Sequence, residues 1–201
     1  MDPTGHDARE SNSYQAARDN EKINDVGHGD SLDKSYLDIV KETNLFVDYI
    51  NKSGSVIRVP KQSSKSIMDS ISKNLNSKVD ETRIEAKIGD FIQKNTNVTI
   101  TDFGNKIKKT TGDTIGDIDV ATEKALIEVK ASIGSIKQKQ LYKYIDNSDK
   151  EYINVFNKEV ILYIDTPIDM SIMRNSELIK KIEAMNIKVV NNIDELKGII
   201  K

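Results

Sequence analysis

The sequence has no cysteine and no tryptophan, only two histidines and only three prolines. Without cysteine there is no disulfide and no thiolate metal site, so any bound metal must sit on oxygen or on the histidines. Both histidines, His6 and His28, fall within residues 1–31, a stretch of Asp, Asn, Ser and Gly with few apolar residues. Such a stretch is expected to be a flexible linker with little core. Solvated loop histidines are its plainer reading, which argues against histidine general-base chemistry. Aromatic residues make up 5% of the chain, so aliphatic side chains must build the core. That scarcity also leaves no aromatic-rich strand platform for stacking single-stranded bases. No apolar run is long enough to span a bilayer and no signal-peptide pattern opens the sequence, so no membrane insertion is expected of this segment.

The 201 residues are 37% hydrophobic and 31% charged, which suits one compact domain with or without an appendage. The net charge of −2 is unevenly spread: residues 1–35 carry four basic against eight acidic side chains, and the rest 26 against 24. A small negative total therefore does not exclude a nucleic-acid partner, because local fields decide binding.

Hydrophobic spacing gives a coarse order of elements. Leu37, Val40, Phe46, Val47 and Ile50 lie at roughly helical intervals and predict a helix over Ser35–Ile50, ended by Asn51-Lys52-Ser53-Gly54. A short strand, Ser55–Val59, precedes Pro60, and Ile67, Ile71 and Leu75 predict a helix over Ser66–Lys78. The most regular helix is Asp80–Lys94, with Ile84, Ile88, Phe91 and Ile92 on one stripe. Glu85 falls about 20° from Ile92 on that wheel, at the edge of the buried stripe, and Glu81 projects to the same side. An acid there needs a partner, and Arg83 or Lys87 would serve. Asn97–Phe103 reads as a strand and Gly104–Gly112 as a basic loop containing Lys106, Lys108 and Lys109. Beyond the centre come a helix over Ser135–Asn147 with Ser135 as N-cap, an apolar strand Val160–Ile164, a helix Ser176–Met185, a strand Ile187–Val190 and a helix Ile193–Ile200. Strand–helix–strand–helix order implies an α/β fold.

The central stretch, Ile115–Lys130, reads IGDIDVATEKALIEVK. Period-two alternation places Ile118 and Val120 on one face and Asp117 and Asp119 on the other. After a turn at Ala121–Lys124, Leu126, Glu128 and Lys130 share one face and Ile127, Val129 and Ala131 the opposite one. A hairpin brings Asp119 near Glu128. Hydrolysing a phosphodiester requires an activated water and charge stabilisation, and a hard divalent cation on carboxylates supplies both. Asp119 and Glu128, with the carbonyl that follows Glu128, can chelate Mg²⁺ or Mn²⁺, with Zn²⁺ a further candidate. Lys130 emerges on the same face, where it can orient the attacking water or stabilise the phosphate. Taken alone, IEVK is what any half-exposed strand looks like. Aspartate is nonetheless disfavoured in strands, and here two share one face.

Gly116-Asp117-Ile118-Asp119, then eight residues, then Glu128-Val129-Lys130 resembles the motif of the PD-(D/E)XK nuclease superfamily. The form G-D-I-D-V…I-E-V-K is similar to nuclease domains at the C-termini of bacterial polymorphic toxins, contact-dependent growth inhibition effectors among them. The motif-bearing part is about Asp80–Ile145, and Ile118 stands where the eponymous proline would be. The resemblance implies a restriction-endonuclease-like fold: an α/β central mixed sheet flanked by helices, here with an N-terminal helical extension. It implies Asp119 and Glu128 as metal ligands, with Asp117 competing for the first role, Lys130 as the catalytic lysine and Glu85 as the glutamate of the first core helix. Lys137, Lys139 and Gln140 match positions used near the scissile phosphate, and Lys108 and Lys109 are candidate backbone contacts beside it.

It further implies a DNA or tRNA substrate, with DNA slightly preferred, and a cognate immunity protein that blocks the site. The parent would be a larger secreted or cell-surface bacterial protein, acting in the cytoplasm of a target cell. The organisation expected is a linker at 1–31, a mostly helical entry or accessory segment at 32–78 and a nuclease domain at 79–201. The competing readings are a housekeeping or restriction-type DNA endonuclease, and a non-catalytic nucleic-acid-binding module retaining the fold.

Overall fold

The computed structural model describes residues 38–200, with side chains from residue 41 onward. The 1–31 stretch and its two histidines lie outside the described residues. Within them the chain runs β1 (Asp38–Glu42), β2 (Phe46–Ile50), β3 (Val56–Pro60), α1 (Ser64–Asn74), α2 (Asp80–Asn95), β4 (Ile100–Lys109), β5 (Thr114–Thr122), β6 (Ala125–Lys130), α3 (Gln138–Ile145), β7 (Glu159–Ile164), α4 (Met173–Glu183), β8 (Lys188–Val190) and α5 (Ile193–Ile199). The eight strands form one open sheet in chain order. Neighbours from β1 to β6 are antiparallel and β6, β7 and β8 are parallel, so the fold is α/β with a mixed sheet. Parallel neighbours need crossovers, and α3 and α4 lie within them.

Side-chain alternation on β6 and β7 sorts the core into two layers. Leu126, Leu162 and Ile164 pack with Leu141 and Tyr144 of α3 and Ile179 and Ile182 of α4. Ile127, Val129, Ile161 and Tyr163 pack with Ile67 and Ile71 of α1, Ile84, Ile88 and Ile92 of α2, and Leu196 of α5. The two strands are covered on both faces, which is why they read as nearly unbroken apolar runs. Helix α2 lies close against its neighbours at Gly89, where an added Cβ would fall 2.8 Å from Ile71 Cδ1 and 3.3 Å from Phe103. This close docking fixes the height at which α2 presents Glu85 to the sheet.

Three sequence expectations are corrected. Ser35–Ile50 is not a helix: its described part forms β1 and β2, so the described residues of the 32–78 segment contribute three strands and one helix to the fold. The turn between β1 and β2 is made by Thr43, whose hydroxyl accepts from the Leu45 and Phe46 amides. That turn interrupts what looked like one helical stripe. Gly104–Gly112 is not a loop either, since β4 continues through Lys109 and pairs with β5 along its length. Finally, Ile118 and Val120 belong to different apolar layers. The cause lies across the ladder at Gly104, whose φ of +56° marks a left-handed residue within β4. Gly104 falls opposite Asp119 in the register that pairs Phe103 with Val120 and Asn105 with Ile118. Phe103 packs with Val120, whereas Ile107 packs with Ile118, so both strands change face at this point.

The added strands are locked by an ion pair. Asp48 on β2 is 3% exposed and accepts two bonds of 2.8 Å from Arg58 on β3. The guanidinium also lies 3.8 Å from the Phe46 ring centroid. Arg58→Ala strands a buried carboxylate and removes this stacking. Urea denaturation should show a lower midpoint for the variant than for the unaltered chain with little change in m-value, and an unchanged midpoint would contradict the lock.

Candidate active site

The site forms where β5 and β6 part. Their recorded pairing is limited to Val120 with Ile127 and Ala121 with Leu126, whereas β6 pairs with β7 at six positions. Beyond Val120 the Asp119 side chain takes over. The Val129 amide donates to its Oδ2 at 2.7 Å. A carboxylate thus replaces a backbone carbonyl as the acceptor for β6, which satisfies the amide and leaves Oδ1 free to bind elsewhere.

Glu128 is 1% exposed. The Tyr144 hydroxyl, from α3, donates to its Oε2, and the Asp117 carbonyl oxygen lies 3.3 Å from that hydroxyl. Its Oε1 is 2.6 Å from Lys130 Nζ, yet it has no partner in hydrogen-bond geometry. Close charge contact without alignment leaves a buried oxygen incompletely satisfied.

A cavity of about 330 Å³ opens over these groups, lined by Glu81 and Glu85 from α2, Asp117 and Asp119 from β5, Val129 and Lys130 from β6, and Gly134, Ser135, Lys137 and Gln140 from the following turn and α3. Arg83 is engaged by Asp80 and Lys87 is exposed. Neither is recorded as a partner for Glu85, which instead faces the cavity. Burial, then the charge of Asp117, push the Glu85 carboxyl up to about 7, against the pull of Lys130. Burial and the neighbouring Glu128 and Glu85 hold Asp119 well above the ordinary aspartate range, although the Val129 amide and Lys130 oppose this. Burial disfavours the Lys130 ammonium, but Glu128 and Asp119 outweigh it and raise the lysine above its usual value. Burial and Glu128 likewise push the Tyr144 phenol far up. At neutral pH Lys130 and Tyr144 are therefore hydrogen-bond donors rather than bases.

Crowded buried carboxylates with raised proton affinity are also groups that welcome a cation. Among the described residues no three acidic or imidazole side chains converge closely enough to enclose a metal on their own. Two carboxylates, the Val129 carbonyl and solvent remain as donors. That incomplete oxygen set fits a Mg²⁺-like ion, which keeps several waters and is bound by one or two carboxylates. Asp119, on the cavity wall, and Glu128, buried beside it against Lys130 and Tyr144, are hard oxygen donors of the kind such an ion takes.

The structure brings Glu85, Asp119, Lys130, Lys137 and Gln140 together around the cavity, with Glu128 buried against Lys130 beside it, while Lys139 lies just outside the cavity wall. Lys108 and Lys109 are elsewhere, paired with Arg58 and Ile57 of β3 near the β4–β5 turn. Ser135 is not the N-cap of α3; it closes a short 3₁₀ turn, Ile133–Ser135, three residues before that helix begins at Gln138. Tyr144 is a functional residue that hydrophobic spacing alone does not single out. Its signal was the hydroxyl, since a phenol on a buried stripe must reach a polar partner.

No protein-family profile matches the chain, and no curated protein or solved structure is similar enough to it to carry an argument.

The raised Glu85 carboxyl has a consequence for stability. Its folded value near 7 lies above the 4.5 of a free glutamate, so the proton stabilises the fold below about 4.5 and that advantage is lost as pH rises towards 7. In EDTA, Glu85→Gln should therefore raise the melting temperature at pH 8 much more than at pH 4.5. Equal shifts at both pH values would contradict a buried, charge-crowded Glu85.

Proposed function

We propose that this chain is a metal-dependent endonuclease that hydrolyses nucleic-acid phosphodiester bonds, with a centre of the PD-(D/E)XK kind. The observation that carries the reading is the side chain of Asp119 bound to the Val129 amide beside a buried, under-satisfied Glu128 and a protonated Lys130. A cation held by Asp119 and Glu128 supplies Lewis acidity towards a phosphoryl oxygen and an activated water near neutral pH.

The chain's own groups do the rest. The Val129 amide fixes the plane of the Asp119 carboxylate, and the Tyr144 hydroxyl orients Glu128. Lys130 is the fixed positive charge that faces the scissile phosphate and its attacking water. In the reaction a bond forms from water oxygen to phosphorus, the bond to the leaving sugar oxygen breaks, and the proton that the water gives up is balanced by the one that the leaving oxygen takes. Glu85, titrating near 7, is matched to exchange a proton with the cavity at working pH. The sequence resemblance extends the proposal to a toxin effector domain, derived from a larger secreted or surface protein and restrained by an immunity protein. DNA is the preferred substrate and tRNA the alternative. Restriction-type or housekeeping cleavage of DNA uses the same centre without the immunity partner.

A second reading, a non-catalytic nucleic-acid-binding module, draws on Glu128 being already engaged by Lys130 and Tyr144. Incubating the chain with plasmid DNA and with total RNA separates the readings. Cleavage should require Mg²⁺ or Mn²⁺, stop in EDTA and be tested in parallel with Zn²⁺. Asp119→Ala, Glu128→Ala and Lys130→Ala should each lower the rate by about 10²-fold or more. A tRNA product with intact plasmid would reassign the substrate. Undiminished cutting by the Asp119 and Glu128 variants would refute the site, and no cutting with any metal favours the binding module.

A further inference from the structure

Next to the carboxylate cavity lies a second, larger one of about 530 Å³, lined by Ile136, Lys137, Gln138, Lys139, Arg174, Glu177, Leu178 and Lys181. Lys137 lines both, so the two are neighbours at that residue. One wall is the segment leading into α3. The other is a single stripe of α4, because positions 174, 177, 178 and 181 recur at i, i+3, i+4 and i+7. Four cationic side chains thus converge from two elements on one groove that holds a single carboxylate, Glu177. None of the four is in the ion pairs recorded among the described residues. Converging like charges disfavour the bare groove and favour an anion in it.

The neighbouring cavity has the opposite character. Glu81, Glu85, Asp117 and Asp119 face Lys130 and Lys137 there, so a polyanion presenting one phosphodiester to it must have its flanking phosphates held elsewhere. Arg174 and Lys181 are seven residues apart on one helical face, about 10 Å along the axis. That is about three nucleotide rises of one strand at 3.4 Å each. Ile136 and Leu178 supply apolar surface between the cations.

We infer that the groove between the α3 entry segment and α4 is the path of the nucleic-acid strand leaving the cleavage site, with Arg174 and Lys181 as backbone phosphate contacts alongside Lys137 and Lys139. The inference rests on the proposed nuclease reading, and it adds α4, a helix remote in sequence from the motif, to the substrate-binding surface.

Binding of a fluorescent oligonucleotide duplex and its single strand, measured in EDTA over a series of salt concentrations, tests it without requiring cleavage. The Arg174→Ala/Lys181→Ala double variant should bind about tenfold or more weakly at low salt. Its log–log salt slope should be shallower by about 1.8 for duplex or about 1.4 for single strand, the value for two lost phosphate contacts. Glu177→Gln should bind more tightly than the unaltered chain. Lys65→Ala/Lys73→Ala, on exposed positions of α1 against the other sheet face, should keep the original slope, which separates a path from a mere change in net charge. If the double variant keeps both affinity and slope while the unaltered chain cuts nucleic acid, the groove is not the path and the nuclease reading stands. If the unaltered chain binds with the expected slope and the double variant does not, yet nothing is cut with any divalent cation, the groove is supported and the catalytic reading fails. No binding by the unaltered chain overturns the groove as the path, and the nuclease reading then stands or falls on the cleavage assay.

Discussion

The bond from the Val129 amide to Asp119 Oδ2 is the constraint around which the functional end of the sheet is arranged. Two central strands that continued their ladder would present backbone to backbone and leave no opening. Here they part after two pairs, and a side chain satisfies the amide set free. The parting creates the cleft, and the same carboxylate that closes the hydrogen-bond account lines it. Gly104 allows this on the other side of β5, since its left-handed backbone lets β4 follow the change of face. Helix α2, docked closely through Gly89, then covers the opening at a height that turns Glu85 inward.

The electrostatics follow from that geometry. Asp119 and Glu128 are almost wholly buried beside each other, with Glu85 and Asp117 nearby, and one lysine is in close contact. Lys130 offsets part of the repulsion but does not align with Glu128 Oε1. An arrangement serving stability alone would replace such a group by apolar side chains or complete its pairing. The proposed cation would relieve part of this crowding of negative charge. The basic groove along α4 complements it: the proposed cation site is rich in carboxylates and the inferred backbone path is rich in cations.

Much of this was legible in the sequence where a single period dominates. The α2 stripe predicted both the helix and the inward tilt of Glu85. The alternation of ALIEVK predicted which residues of β6 face together, and Glu128 and Lys130 do meet. What escaped the sequence has physical causes. Val40, Phe46, Val47 and Ile50 satisfy helical spacing by coincidence, and the hydroxyl turn at Thr43 that separates β1 from β2 is a local side-chain bond invisible to periodicity. The face change between Ile118 and Val120 depends on a glycine in the partner strand. Lys108 and Lys109 are near the motif in sequence but belong to the far end of a hairpin, whereas Arg174 and Lys181 are distant in sequence and brought close by the β7–α4 crossover. Sequence distance is a poor guide to a site assembled from several elements of a sheet.

The most direct test of the account is the titration of the site carboxyls by carbon-13 NMR, with Asp119→Asn and Glu85→Gln spectra for assignment, in EDTA and in saturating Mg²⁺. Without metal, Asp119 should titrate well above the ordinary aspartate range and Glu85 near 7. With Mg²⁺, Asp119 should remain ionised to distinctly lower pH. An Asp119 that titrates near the ordinary value of about 4 and is indifferent to Mg²⁺ would contradict the central claim that these buried carboxylates are poised to hold a cation.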